Sequence, residues 1–346
     1  FRYRKTTYSR NKKIIMANIL VGSPRFESIT LSTGYKSAVL TLKINNVLKY
    51  TILKTGVGGN VITFEISELI RDYITQTFAG GQSQPITVST TGSVILQYTS
   101  LNGTGTPSGS AVAIDHTAVD GYGTFMEGVN PTLPANTAWL LSKDEVKGGY
   151  YLYYPIGVDG WIPQLTGGGT FTRVRFYANT QMPITNNNTD PLYVIRVDCS
   201  RYGDGNKITF LNKFGALQEL YFFLKSVKST TSTKETYSAN TISTSSGSAT
   251  YSVNAPTKTV FNKSANQKIR LSSGYYPEGA NPFFEQLLLS KSIWLTQPDP
   301  YNPGTEQVVP IIISTSSFTY KTSLNDRLIE YTMEFDMAFD YINNVR

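Results

Sequence analysis

His116 and Cys199 are the sole histidine and the sole cysteine of a 346-residue chain. Acid-base, nucleophilic and metal chemistry near neutral pH draws repeatedly on imidazole and thiolate, because those groups titrate or ligate there. His116 lies in AIDHTAVDG with Asp115 beside it and Asp120 nearby. No second histidine exists to complete a metal pair, so a loop histidine is expected. Cys199 closes PLYVIRVDCS, where alternation puts it with Tyr193, Ile195 and Val197 on one apolar face, and it reads as a buried, inert thiol.

Two carboxylate patterns imitate sites. Glu65, Glu68 and Asp72 fall at i, i+3 and i+7, yet Arg71 sits among them and acids in a first helical turn are routine, so a solvated face is the reading. Glu330, Glu334, Asp336 and Asp340 could suggest calcium, but alternate strand positions are about 7 Å apart, too far for most of them to share one ion. They read as a solvent-facing or interface stripe. Gly103, Gly105 and Gly109 in NGTGTPSG lack the Gly-Lys-Ser/Thr of a phosphate loop and read as turn chemistry. No catalytic residue, cofactor site or metal site is expected. Tyr151, Tyr153 and Tyr154 in GGYYLYYP, with Trp161 nearby, are candidates for subunit contact or for stacking on the rings of a host-surface glycan. Successive strand residues face opposite sides, so only part of that run can serve one platform.

Tyrosine is abundant, at 23 residues, and supplies rigid contact area with a polar tip. With 16% charged residues, 28 glycines and 16 prolines, the composition suits many short strands joined by turns. An all-β fold with a few short helices is expected, as two antiparallel β-sandwich-like units around an irregular middle. The net charge is +7, but Arg2, Arg4, Lys5, Arg10, Lys12 and Lys13 contribute +6 of it, so the body is nearly neutral and offers no groove for nucleic acid. Residues 1–15 form a basic leader: either upstream sequence carried into the frame before Met16, or an arm that pairs with an acidic neighbour. No apolar signal-peptide core follows it, and no apolar run is long enough for a membrane span. One cysteine permits no intrachain disulfide framework. Assembly in a cytoplasm is the simplest setting.

The elements follow from local pattern. In a first unit, 16–105, AVLTLKI and VLKYTIL flank Asn45-Asn46 as a hairpin, VITFEI leads into a short helix SELIRDYI capped by Ser67, and QPITVST and SVILQYTSL are strands. Residues 106–190, dense in glycine, proline and tyrosine, read as an irregular region or insertion. In the last unit, 191–346, a Gly203-Asp204-Gly205 turn leads to KITFLNKFG and ALQELYFFLK. Residues 229–250, in which 14 of 22 are Ser or Thr, read as a disordered linker or an exposed ribbon, the ribbon being favoured by the extended character of ETYSAN and ATYSVN, and Asn281 caps a helix with Pro282 at its first position. Finally Ile329, Tyr331, Met333, Phe335, Met337, Phe339 and Tyr341 alternate with polar residues, which marks a half-buried strand long enough that a bend, a bulge or an extension past its own domain is expected.

ITFLNKFGALQELYFFLK, LLLSKSIWL and LIEYTMEFDMAFDYINN resemble virion structural proteins of tailed bacteriophages of Bacteroidota-type hosts. The likeness covers mainly 191–346, with an echo in KYTILKT and FEISELIRDYI. It implies a non-enzymatic component of the particle, in tail or baseplate, that assembles in many copies with itself and other virion proteins. The rival reading is a secreted or surface glycan-binding β-sandwich, an adhesin. A tail-associated glycan hydrolase comes third.

Overall fold

The computed structural model describes residues 17–31, 33–56, 60–80, 92–102, 107–128, 130–131, 133, 138–166, 171–180, 191–199, 205–317, 319–321 and 328–342. The basic leader, QPITVST, Gly103, Gly105 and Gly203-Asp204 lie outside them. Among the described residues are 23 strands and two α-helices, of five and nine residues, so the chain is all-β.

The first sheet has five strands, in the order Ala17–Leu20, Pro107–Val119, Gly92–Asn102, Tyr35–Ile44, Val47–Thr55. Its central hairpin turns at Asn45 and Asn46, with φ of 51° and 63°. Two consecutive positive φ angles make the tight turn whose twist matches the strands, and asparagine tolerates them better than other side-chain-bearing residues. Ala38, Leu40, Leu42 and Ile44 bury one face, which the pair Phe26–Thr30 and Val61–Glu65 covers with Ile29, Ile62 and Phe64. The short helix Ser67–Arg71 adds Ile70 to that core. Ser67 is its first residue and not its cap: the Glu65 carboxylate, placed just before the helix, accepts the Ser67 backbone N–H at 2.9 Å.

Pro107–Val119 extends this sheet past residue 105, and Ala17–Leu20 pairs with its end in parallel, Ala17 opposite His116. The middle region is therefore more regular than its glycines and prolines suggest. It also contributes a three-stranded sheet, Phe171–Phe176, Gly160–Leu165 and Ala138–Trp139, and the strand Tyr150–Pro155. That strand pairs in parallel with Leu192–Val197. In the latter the buried residues are Leu192 and Val194, whereas Ile195 is 39% exposed, so the apolar face is opposite to the one alternation indicated. Cys199, past the strand end, is buried and free of any disulfide.

The largest sheet has seven antiparallel strands, in the order Leu217–Phe222, Asn206–Leu211, Ile293–Pro298, Glu306–Ile313, Thr332–Met337, Lys258–Ser272, Val227–Ser238. Side chains alternate across it, so two faces are built. One carries Ile208, Phe210, Leu220, Phe222 and Leu295 against Phe284 and Leu287 of the helix Asn281–Leu289. Asn281 is that helix's first residue rather than its cap; its amide donates to the Lys321 carbonyl and its Oδ1 accepts the Tyr331 hydroxyl. The other face meets the three-stranded sheet. The main core runs without interruption from Trp139 to Met337, joining middle and C-terminal segments.

The terminal alternation holds from Ile329 to Met337 and then ends. Leu328–Ile329 pairs with Tyr276–Pro277, the chain breaks at Glu330 and Tyr331, and Thr332–Met337 enters the large sheet. Phe339 and Tyr341 lie beyond the last strand and are exposed.

Candidate functional site

The acidic stripe is engaged within the chain. Glu334 sits opposite Arg270 and Asp336 opposite Lys268 on the neighbouring strand, with nitrogen–oxygen distances of 3.8 and 3.2 Å. Glu330 accepts the Ser272 hydroxyl and Asp336 that of Ser314. Asp340 lies beyond the sheet, facing Asn266. These pairs are solvent-exposed and contribute at most about 1 kcal/mol each, so they set register more than stability.

Of the aromatic candidates, Tyr153 and Tyr154 are buried and form no outward platform. The Tyr154 ring packs edge-on against Phe176 at 4.8 Å, and its hydroxyl donates to Glu219 Oε2 at 2.5 Å. Burial, then the Glu219 charge, drives the Tyr154 phenol well above its ordinary pKa, so it serves as a fixed donor. Tyr151 is half-buried and stacks on Tyr193 at 5.2 Å, with the Lys147 ammonium 4.6 Å from its ring centre. Trp161 is half-buried too, and only these last two reach the surface.

Glu219 organises a polar cluster between the two sheets. Arg173, from the three-stranded sheet, donates to Glu219 Oε1 at 2.6 Å, and the two side chains are 4% and 3% exposed. The Arg173 guanidinium lies 5.4 Å from the Phe78 ring centre and 5.7 Å from that of Trp161, so two aromatic rings flank it. Sequence pattern alone could not bring Arg173 and Glu219 together; the available signal was a charged residue, Glu219, standing in the mostly apolar LQELYFF.

His116 is a buried strand residue, not a loop residue: its Nε2 lies 2.9 Å from Glu27 Oε1. Burial would raise the Glu27 pKa, but hydrogen bonds from His116 and Arg25 outweigh it and hold the carboxyl below its ordinary value. No group of three or more His, Cys, Asp or Glu side chains suited to a metal ion occurs among the described residues. No helix among them is long and apolar enough to cross a membrane.

The exposed ribbon is real and larger than the Ser/Thr-rich stretch. Val227–Ser238 pairs with Lys258–Ser272 from Val227 opposite Arg270 to Ser238 opposite Lys258, with a bulge at Glu235/Thr236. A second small hairpin, Ile242–Ser245 with Ser248–Tyr251, turns at Ser246-Gly247 near the tip. All 12 residues of Val227–Ser238 are exposed. Tyr237 and Phe261 meet edge to face on its surface at 6.2 Å, and Ile242, Tyr251 and Val253 are exposed toward the tip.

No family model matches this sequence, and no curated protein matches it. Among solved structures, the fibronectin(III)-like modules of Clostridium thermocellum CbhA match 87% of this chain and 90% of their own, at 8% identity and a TM-score of 0.17. Backbones that superpose so poorly establish no common fold, and the likeness carries nothing about ligand or role.

Proposed function

We propose that this protein is a non-enzymatic structural component of a tailed phage particle, in its tail or baseplate, acting through multi-copy assembly with itself and other virion proteins. The ribbon is the observation that carries assembly. Its strand Val227–Ser238 is the edge of the large sheet among the described residues, and there residues 258–264 pair with that strand alone. A two-stranded hairpin is at best marginally stable in water on its own, and a neighbour laid along it supplies the missing contacts. Lys228, Lys234, Lys258 and Lys263 stand on the ribbon against a single acid, Glu235, while Lys268 and Arg270 at its base are paired with Asp336 and Glu334. Such an edge repels an identical edge, so copies do not pair ribbon to ribbon, and it suits an acidic surface elsewhere on a second copy or on another virion protein. The particle itself is inferred from the resemblance of residues 191–346.

Light scattering on the full chain tests assembly, beside a variant in which Asn-Gly replaces residues 233–264 and joins the directly paired Ser232 and Ala265. The full chain is expected to form a discrete oligomer; the shortened one is expected to be monomeric with an unchanged melt. Mass spectrometry and immunolabelled electron micrographs of purified particles test location. A chain that stays monomeric at high concentration and is absent from particles overturns the reading.

A further inference from the structure

Where the three-stranded sheet faces the seven-stranded sheet, the sandwich opens into a cavity of about 360 Å³. That falls toward the lower end of small-molecule sites, roughly 300–1,000 Å³. Glu219 and Thr296 line it from the large sheet, Trp161 from the small one, and Phe78 from the segment after the first helix. Thr296 is 8% exposed, lines the cavity, and its hydroxyl has no hydrogen-bond partner among the described residues. The Thr209 hydroxyl, one strand over, and Arg173 Nε, behind Glu219, are also without partners there. An orphaned buried polar group keeps its desolvation penalty without compensation, and a sandwich interior is ordinarily filled with aliphatic side chains. Of the three, Thr296 lines the cavity itself, and an unpaired buried hydroxyl on a cavity wall is what a binding site looks like before its ligand arrives.

The charges narrow the ligand. Each acid lining the cavity already holds a base: Asp159 with Arg175, Glu219 with Arg173 and Lys207 with Glu306, the last pair at 3.2 Å. With every charge compensated, the site calls for no net charge on its occupant. It offers the Thr296 hydroxyl and the Glu219 carboxylate from the large sheet on one side, and on the other the Trp161 and Phe78 rings with the guanidinium of Arg175, the residue that pairs in register with Trp161. A molecule with a ring of hydroxyls and an apolar C–H face satisfies both sides. We propose that this inter-sheet cavity binds a neutral saccharide. The assignment is independent of any place in a particle.

Saturation-transfer NMR on the full chain, with a panel of glucose, galactose, mannose, N-acetylglucosamine and their common disaccharides, tests it, with glycine and alanine as zwitterionic controls. At least one sugar is expected to give ring-proton signals. Thr296→Val exchanges the hydroxyl for a methyl of similar size, so binding should weaken about fivefold while the melt stays level or rises. Trp161→Ala should abolish the signal. Silence from every sugar, or signals unchanged in both variants, refutes the site. Binding of the amino acids instead of the sugars refutes the ligand class.

Discussion

Arg173→Met is the sharpest probe of the inter-sheet cluster. The Arg173 and Glu219 side chains are 4% and 3% exposed and 2.6 Å apart, so removing the guanidinium leaves a buried carboxylate whose remaining hydrogen-bond partner among the described residues is the Tyr154 hydroxyl, at 2.5 Å. Breaking such a pair from one side costs about 3–5 kcal/mol, because the remaining charge keeps its desolvation penalty and loses its compensation. Glu219→Leu should cost a similar amount, since it orphans both the guanidinium and the Tyr154 hydroxyl. Removing all three polar groups at once, as Arg173→Met/Glu219→Leu/Tyr154→Phe, should restore stability to within about 1–2 kcal/mol of the natural chain, because no buried charge is left. Urea unfolding read by tryptophan fluorescence, with a constant slope as the check on two-state behaviour, measures each value. The reasoning is refuted if the triple variant is as unstable as the sum of its parts, or if Arg173→Met costs under about 1 kcal/mol.

Phe335→Asp puts a charge at a fully buried ring that meets Phe222 at 6.1 Å, and should abolish cooperative melting or lower stability by several kcal/mol. Glu334→Gln, on the opposite face and 3.8 Å from Arg270, should cost under about 1 kcal/mol, and similar melts for the two would disprove the alternation. Glu27, whose folded pKa is depressed, contributes stability that is complete above its unfolded value near 4.5 and is lost as pH falls through the folded value. Glu27→Gln should therefore flatten the acid limb of a stability-against-pH curve; an unchanged limb would show that the His116–Glu27 contact is energetically empty.

Features written in neighbouring residues were legible. Asn45-Asn46 announced its hairpin, the Ser/Thr stretch its ribbon, and Ile329 to Met337 its buried face, because each depends on short-range φ preference or on period-2 alternation. What failed depended on distant partners. Leu217–Phe222 is buried at every position, so alternation vanishes when both faces of a strand are covered. Tyr153 and Tyr154 looked like contact residues because nothing local reveals a second sheet above them. The acidic stripe looked free because Lys268 and Arg270 lie more than 60 residues earlier, although KIRLS already alternated base with apolar side chain. The parallel pairing of Ala17–Leu20 with the end of Pro107–Val119 leaves no local trace at all.

The strand Lys258–Ser272 has a mechanical consequence. Its first part is one rail of the ribbon and its last five residues, Lys268 to Ser272, pair with Thr332–Met337, with no loop between the two roles. A pull on the ribbon tip along its axis thus enters the large sheet through an unbroken backbone. There it loads the Lys268–Ser272 ladder along the strands, so that its hydrogen bonds must fail together instead of unzipping one at a time. A partner gripping the ribbon would be tethered to a fully buried ring of that sheet, Phe335, opposite Ile269, and tension would reach the core before it could peel the edge.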